Sequence, residues 1–416
     1  MRALASLLCA ALAASLPAVS AQSPDDLPRR IALGATLRPP SAGAPARLAR
    51  VDDGSAMARA GMRAGDELLA IDGHPITDAV EFDRRLAALR AGREVRLRVA
   101  GAGPSRDVPV TFSPLPLEQI PGVEVQYTVV RNPAGLRQRA IVTRPAGSAG
   151  RRPAILFVPW LSCDSVESPG QPAPGIDLLL RRLAAESGWV LVRVDKPGVG
   201  DSEGVCADTD LDTEMAGSRA ALAWMRTHPW IDPDRVVVMG QSFSGAFLPL
   251  LATGTRVAGY VVINSWARTW YERLLEFERL QSESSGLAPA AVADRQRRLA
   301  LFYALFLEGR QTPAEVLRDR PDLRDIWNDE PGHQYGRSAR FHHQLHRVDA
   351  EAAWSAVDVP TLVMWGDADI VMHRADHALA TRTASGGHEL PAVVMSSIAP
   401  FLARVHADPT AAGRPD

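Results

Sequence analysis

The stretch VVVMGQSFSG, Val236 to Gly245, drives an apolar run into a glycine and sets two serines one residue apart. A serine hydroxyl attacks an acyl carbonyl when a histidine takes its proton and a carboxylate holds that histidine in one tautomer. The turn from a buried strand into a helix strains its central residue, so the flanking positions must be small enough for close backbone approach. Centred on Ser242 the pattern is Gly240-Gln241-Ser242-Phe243-Ser244; centred on Ser244 it is Ser242-Phe243-Ser244-Gly245-Ala246. The apolar run ends at Met239, and the tip of such a bend follows within about three residues, which favours Ser242 over Ser244. Asp367 and Asp369, after PTLVMWG, are candidate carboxylates. His388 in SGGHEL is the first candidate base, with His373, His377 and His406 behind it. His342 and His346 in FHHQLH have the spacing of zinc ligands on a helix, but no Glu or Cys is placed to complete a site. No metal and no cofactor is therefore expected.

These residues sit in a chain of 416 residues, long enough for more than one core. Lys and Arg number 46 against 48 Asp and Glu, a formal charge of -2 that gives no reason to expect a nucleic-acid partner. Residues 1–21 combine Arg2, an apolar alanine-rich run and the exit Val19-Ser20-Ala21, the layout of a secretory signal peptide. The run is short for crossing ~30 Å of hydrocarbon, and no later segment reads as a membrane span. A periplasmic or secreted protein is expected, with QSPDDLPRR (22–30) as a polar spacer.

Between Ile31 and Phe112 the pattern is strand-like segments, tight turns and short helices. Gly54-Ser55-Ala56 opens a helix that Ala60-Gly61-Met62 closes, and Asp72-Gly73 makes a hairpin turn. AVEFDRRLAALRA has helical spacing, and EVRLRVAG alternates as a half-buried strand does. This region, taken as residues 30–112, resembles a PDZ domain of the bacterial, protease-associated type, with GSAMARAGMRAGDELLAIDG its most specific part. The resemblance implies that Leu33, Gly34, Ala35 and Thr36 bind the terminal carboxylate of a peptide added to a sheet edge.

SPLPLEQIPG (113–122) is proline-rich and reads as a linker. Beyond it, VEVQYTVV and QRAIVTRP look like an antiparallel pair, followed by the continuous apolar runs AILFVP, WVLVRVD, RVVVMG, VAGYVVIN and PTLVMWG. Such runs, alternating with helices, predict a mostly parallel sheet buried on both faces. Residues 123–406 resemble an α/β-hydrolase, with 264–358 as a helical cap inserted over the carboxyl ends of the strands. The fold class expected is thus α/β, preceded by a small, mainly β domain with two helices.

The resemblance implies a nucleophile after the fifth strand, an acid after the seventh and a histidine after the eighth. It selects Asp369, through the form Gly-x-x-Asp, and His388 after its Gly-Gly turn. TRTASGG, where the eighth strand belongs, has no apolar run, so that strand is expected to be missing or degenerate. The oxyanion hole would take the N–H of Phe243 and that of Leu161, with Trp160 as second choice. RVDKPGVGDSEG is read as a structural glycine turn. Cys163 and Cys206 follow neighbouring strands of the family's sheet, which makes them a disulfide candidate.

The expectation is an exported serine hydrolase acting on a carboxylic ester, with a serine peptidase or amidase as the enzymatic alternative. The rival from another class is a PDZ peptide-binding protein whose hydrolase domain is catalytically impaired. On the export reading, the mature protein recovered from a native host starts at Gln22; N-terminal sequencing that finds Met1 retained would remove it.

Overall fold

The computed structural model describes residues 27–41, 44–170, 175–329, 332–366, 369, 371–372, 382–385 and 398–404. The segment 1–21 lies outside them, as do Asp367, His373, His377, His388 and His406.

The N-terminal unit is an antiparallel sheet. Its strands are β1 (Ala35–Arg38), β2 (Ala46–Val51), β3 (Glu67–Ile71), β4 (His74–Pro75), β5 (Glu94–Ala100) and β6 (Arg106–Thr111), in the order β1-β2-β3-β5-β6 with β4 on β3. Helix α1 (Ala56–Arg59) starts where the Ser55 hydroxyl accepts the Ala58 N–H at 3.1 Å, and α2 (Ala79–Ala87) is capped by Asp78. The β3–β4 turn needs two positive φ values, which Asp72 and Gly73 supply at 50° and 80°. Alternation in β5 buries Val95, Leu97 and Val99 against Leu48, Met57, Phe82 and Phe112. β1 stands at the edge of the sheet.

The second unit is built on eight strands in the order β16-β15-β12-β11-β9-β10-β8-β7. They are β7 (Val123–Arg131), β8 (Arg137–Pro145), β9 (Arg152–Val158), β10 (Val190–Val194), β11 (Ile231–Gln241), β12 (Gly259–Ile263), β15 (Thr361–Gly366) and β16 (Arg382–Ser385). β7 and β8 pair antiparallel, β8 meets β10 antiparallel, and all other pairings are parallel. Helices α3 (Ile176–Glu186), α4 (Leu211–Met225), α5 (Leu248–Leu251) and residues 398–404 belong to this layer. They give the sheet two cores, one around Leu156, Val238 and Leu222, the other around Phe157, Met239 and Leu183.

Between β12 and β15 the chain forms α6 (Trp270–Ser284), α7 (Pro289–Tyr303), α8 (Pro313–Asp319), the short pair β13 (His333–Gln334) and β14 (Arg337–Ser338), α9 (Ala339–Leu345) and α10 (Ala350–Ser355).

Of the two alternatives for the eighth strand, it is present in degenerate form: β16, four residues without an apolar run, pairs parallel with β15, Val363 opposite Arg382 and Met364 opposite Thr383. Strand pairing is made by main-chain groups, and an edge strand does not need the apolar run that marks a central one. Where they are described, the spacer and linker segments are tied to the hydrolase layer. Leu27 is buried, and the Arg29 guanidinium bonds Glu167 and, at 2.9 Å, Asp201. Asp201 also receives Arg139 Nε at 3.1 Å, and Glu118 of the 113–122 segment takes Arg193 at 2.6 and 2.9 Å inside the hydrolase layer. The partners lie far apart in sequence, so a local reading finds only polar, proline-containing stretches. Burial opposes ionisation of Glu118, yet Arg193 holds its carboxyl below the usual carboxylate range.

Cys163 and Cys206 form a disulfide closing a loop of 43 residues, with Cα atoms 6.0 Å apart. Loop entropy assigns such a cross-link about 4 kcal/mol at most, and native bridges are typically worth about 2–4 kcal/mol. Replacing both cysteines by serine should lower unfolding stability by that amount in urea titrations, and reductant should have the same effect on the natural chain.

Candidate active site

β9, β11, β12 and β15 are parallel neighbours, so the turns that follow them open at one edge of the sheet. Ser242 follows β11 at φ 57°, a left-handed conformation at a residue with a side chain, and begins a helical segment, Ser242–Phe247. Left-handed backbone costs about 1–2 kcal/mol outside glycine and tends to persist where the surroundings over-determine it. Here they do. A Cβ on Gly245 would fall 2.6 Å from the Ser265 side chain, and the Trp354 indole N–H donates to the Gly245 carbonyl at 3.1 Å.

The two serines are separated by their surroundings. Ser244 is fully buried; its hydroxyl lies 2.8 Å from the Val158 carbonyl and 3.1 Å from that of Gln241, and accepts the Gln241 N–H at 3.1 Å. That hydroxyl stitches β9 to the bend. Ser242 is half-buried, and no described residue hydrogen-bonds its hydroxyl.

Two strands away, Asp369 follows β15 and is half-buried. Its N–H reaches the Gly366 carbonyl at 3.0 Å, while Oδ1 accepts the N–H groups of Val371 at 2.7 Å and Met372 at 3.0 Å. This Asx-type turn fixes the carboxylate and leaves Oδ2 without a donor among the described residues. Between them, Asn264 follows β12 at φ 46°, and its Oδ1 accepts the Gly366 N–H at 3.1 Å. Sequence reasoning passed over Asn264; its signal was an asparagine ending an apolar run. Asp367 and His388 lie outside the described residues, so no histidine is placed beside Ser242 here. His388 comes shortly after β16 in the chain.

Phe243 is buried and packs its ring against Phe247, Trp266 and Phe341 with centroids 4.7, 6.2 and 5.5 Å apart. The cap thus sits directly on the bend. Behind Trp266, the buried Arg273 guanidinium lies 6.0 Å from that ring, 5.1 Å from Trp270 and 4.9 Å from Phe277. Its Nε and Nη1 have no hydrogen-bond partner among the described residues.

The loop after β9 carries Trp160 and Leu161, both half-buried. Its carbonyls are taken by Lys196 and by Arg337 of β14, which donates to the Leu161 carbonyl at 3.0 Å and also meets Glu214. The RVDKPGVGDSEG turn therefore supplies more than glycine geometry. His342 is fully buried; Nε2 meets the Gln334 carbonyl at 2.8 Å, and burial pushes its pKa down to about 3. It stacks on Trp270 at 5.8 Å as a neutral ring, and no group of metal-binding side chains occurs among the described residues.

In the first unit, Gly34 has φ 64°, and a Cβ there would fall 2.4 Å from the Ser55 Cβ. Leu33 lines a cavity of about 270 Å³ whose opposite wall is Cys163–Ser165 and Gly198–Gly200 of the hydrolase layer.

A mixed, mostly parallel sheet with a serine at a left-handed strand-to-helix bend and a helical cap defines an α/β-hydrolase. A model of the X-Pro dipeptidyl-peptidase (S15) family matches residues 134–396, and the chain belongs to that family; a PDZ-domain model matches residues 47–101. No curated protein matches the chain. Solved structures similar to it include Est1E from Butyrivibrio proteoclasticus with ferulic acid bound, at 13% identity, 68% of this chain, 100% of that one and a TM-score of 0.46. Others are the α/β hydrolase GrgF from Penicillium sp. sh18 (15%, 68% and 99%, 0.44) and acetyl xylan esterase 1 from Thermoanaerobacterium sp. JW/SL YS485 (16%, 68% and 85%, 0.42).

The two serines should respond in opposite ways. Ser244→Ala leaves the buried Val158 carbonyl without its donor and should cost about 1–3 kcal/mol. Ser242→Gly relieves the left-handed φ and should raise stability by up to about 1–2 kcal/mol. Denaturant titration of both variants measures the pair.

Proposed function

We propose that the protein is an exported serine hydrolase that cleaves carboxylic esters through an acyl-enzyme on Ser242. The observation that carries this reading is the half-buried Ser242 hydroxyl at a strained bend, with the neighbouring Ser244 hydroxyl already committed to backbone. Ser242 Oγ attacks the acyl carbon while His388 takes its proton, and the C=O electron pair moves onto oxygen. The N–H groups of Phe243 and Leu161, with that of Trp160 as the lesser candidate, stabilise the oxyanion. The Asp369 carboxylate holds the His388 ring and balances its positive charge. Collapse of the tetrahedral intermediate breaks the ester C–O bond, and the imidazolium protonates the leaving alcohol. Water, deprotonated by the same histidine, then releases the acid and restores Ser242.

Two features favour an ester over a peptide with a free N-terminus. Phe243, Trp266, Trp270 and Phe341 give the cap an aromatic wall. Arg273, buried beside Trp266 and Trp270 in that wall, opposes an ammonium. A dipeptidyl-peptidase is the second reading, favoured by membership of the S15 family. The N-terminal unit is read as a peptide-binding module acting through Leu33, Gly34, Ala35 and Thr36 and the β1 edge. The disulfide suits the oxidising compartment that export implies.

A fluorophosphonate probe should label the protein, and Ser242→Ala and His388→Ala should abolish labelling. Both variants should lose at least about 10⁴-fold in kcat/KM on p-nitrophenyl esters. Faster turnover of Xaa-Pro-p-nitroanilides than of any ester in a matched panel would move the assignment to the peptidase. An unreactive natural protein would leave a peptide-binding protein with an impaired hydrolase domain.

A further inference from the structure

Lys196 follows β10 with its side chain buried in the hydrolase layer. Its ammonium bonds three successive carbonyls, Trp160 at 2.6 Å, Leu161 at 3.1 Å and Ser162. An ammonium has three protons and no acceptor, so three carbonyls use it completely. It meets no carboxylate at hydrogen-bond distance among the described residues.

Successive carbonyls converging on one cation impose a direction on the peptide planes between them. In a trans peptide the C=O of one residue and the N–H of the next point opposite ways, and no cis bond occurs among the described residues. Holding the Trp160 carbonyl turns the Leu161 N–H to the far face of the loop, and holding the Leu161 carbonyl does the same for Ser162. The loop leaves β9 beside the bend: Val158 is in register with Gly240, and its carbonyl is the one that Ser244 binds.

We propose that Lys196 is a positioning residue for the oxyanion hole, its ammonium holding the 160–162 carbonyls so that the Leu161 N–H stays aimed away from it as a fixed donor. This rests on the reading of Ser242 as the nucleophile. Arg337 supports the same loop from the cap through the Leu161 carbonyl, so core and cap grip it together. Preorganised donors act best when they need no reorientation as charge develops.

The charges facing Lys196 are Glu214 on α4, Arg337 on β14, Asp164 in the disulfide loop and Asp195 beside it in the chain. Burial outweighs the three carboxylates, with Arg337 adding to it, and brings the ammonium down to about 8. The protonated form, with all three donors, therefore prevails below that pH. Above it the neutral amine has one donor fewer and no charge. A role in positioning predicts that kcat falls as pH rises through about 8 while the fold persists.

The experiment measures kcat and KM on a p-nitrophenyl ester from pH 6 to 9.5 for the natural protein, Lys196→Met and Ser242→Ala, with circular dichroism as the check on folding. Lys196→Met should lose roughly 10- to 100-fold in kcat with KM within about threefold, since only an interaction of the transition state is weakened. It should also lack the alkaline fall seen in the natural protein. A folded Lys196→Met with unchanged kcat, or with a pH profile parallel to that of the natural protein, overturns the proposal. So does a natural protein whose kcat stays flat up to pH 9.5, an outcome that does not depend on the variant folding. Turnover surviving in Ser242→Ala instead removes the reading of the nucleophile itself.

Discussion

A left-handed φ at a residue with a side chain is unfavourable, and the edge of the sheet where β11 ends is organised around keeping one in place. β11 delivers Ser242 to the bend, Gly245 lets the next element pass close to Ser265, and Trp354 of the cap holds the Gly245 carbonyl. Ser244, two residues on, ties the bend to β9. Each of these contacts is local and modest. Together they hold Ser242 half-buried in a left-handed conformation where β11 ends.

Parallel strands do the rest. Because β9, β11, β12 and β15 run the same way, their following turns meet at one edge without any long loop having to reach across. Asn264 is the clearest case, a side chain from one turn bonding the main chain at the end of the next strand. The cap adds a second layer of the same kind. Phe341 on α9 touches Phe243, while Arg337 on β14, stacked 3.9 Å from the Phe341 ring, reaches the loop after β9.

Much of this was legible in the residues. Central strands announce themselves as apolar runs, and the β11 bend as small residues around a serine, because burial on both faces and close backbone approach restrict residue type directly. The PDZ hairpin was legible at Asp72-Gly73 for the same reason. What escaped was whatever depends on distant partners or on main chain alone. β16 has the sequence RTAS and is held by backbone pairing, which leaves no trace in side-chain pattern. Lys196 looked like one member of a glycine turn, since the three carbonyls it binds lie more than thirty positions earlier. Arg29 and Glu118 read as parts of polar connectors because Glu167, Asp201 and Arg193 are far along the chain.

The ion pairs made by those connectors set how modular the protein can be. Arg29 and Arg30 come from the segment before the first sheet, yet both pair with Glu167, almost wholly inside the hydrolase layer, and Arg29 shares the buried Asp201 with Arg139. A hydrolase unit inherited or transplanted without that segment would keep Arg139 on Asp201 but leave the interior Glu167 without Arg29 and Arg30, a penalty of several kcal/mol. The seam between the two recognisable modules is visible in the sequence but is not a seam in energy, so gene fusions that exchange the PDZ unit must bring the arginines with them.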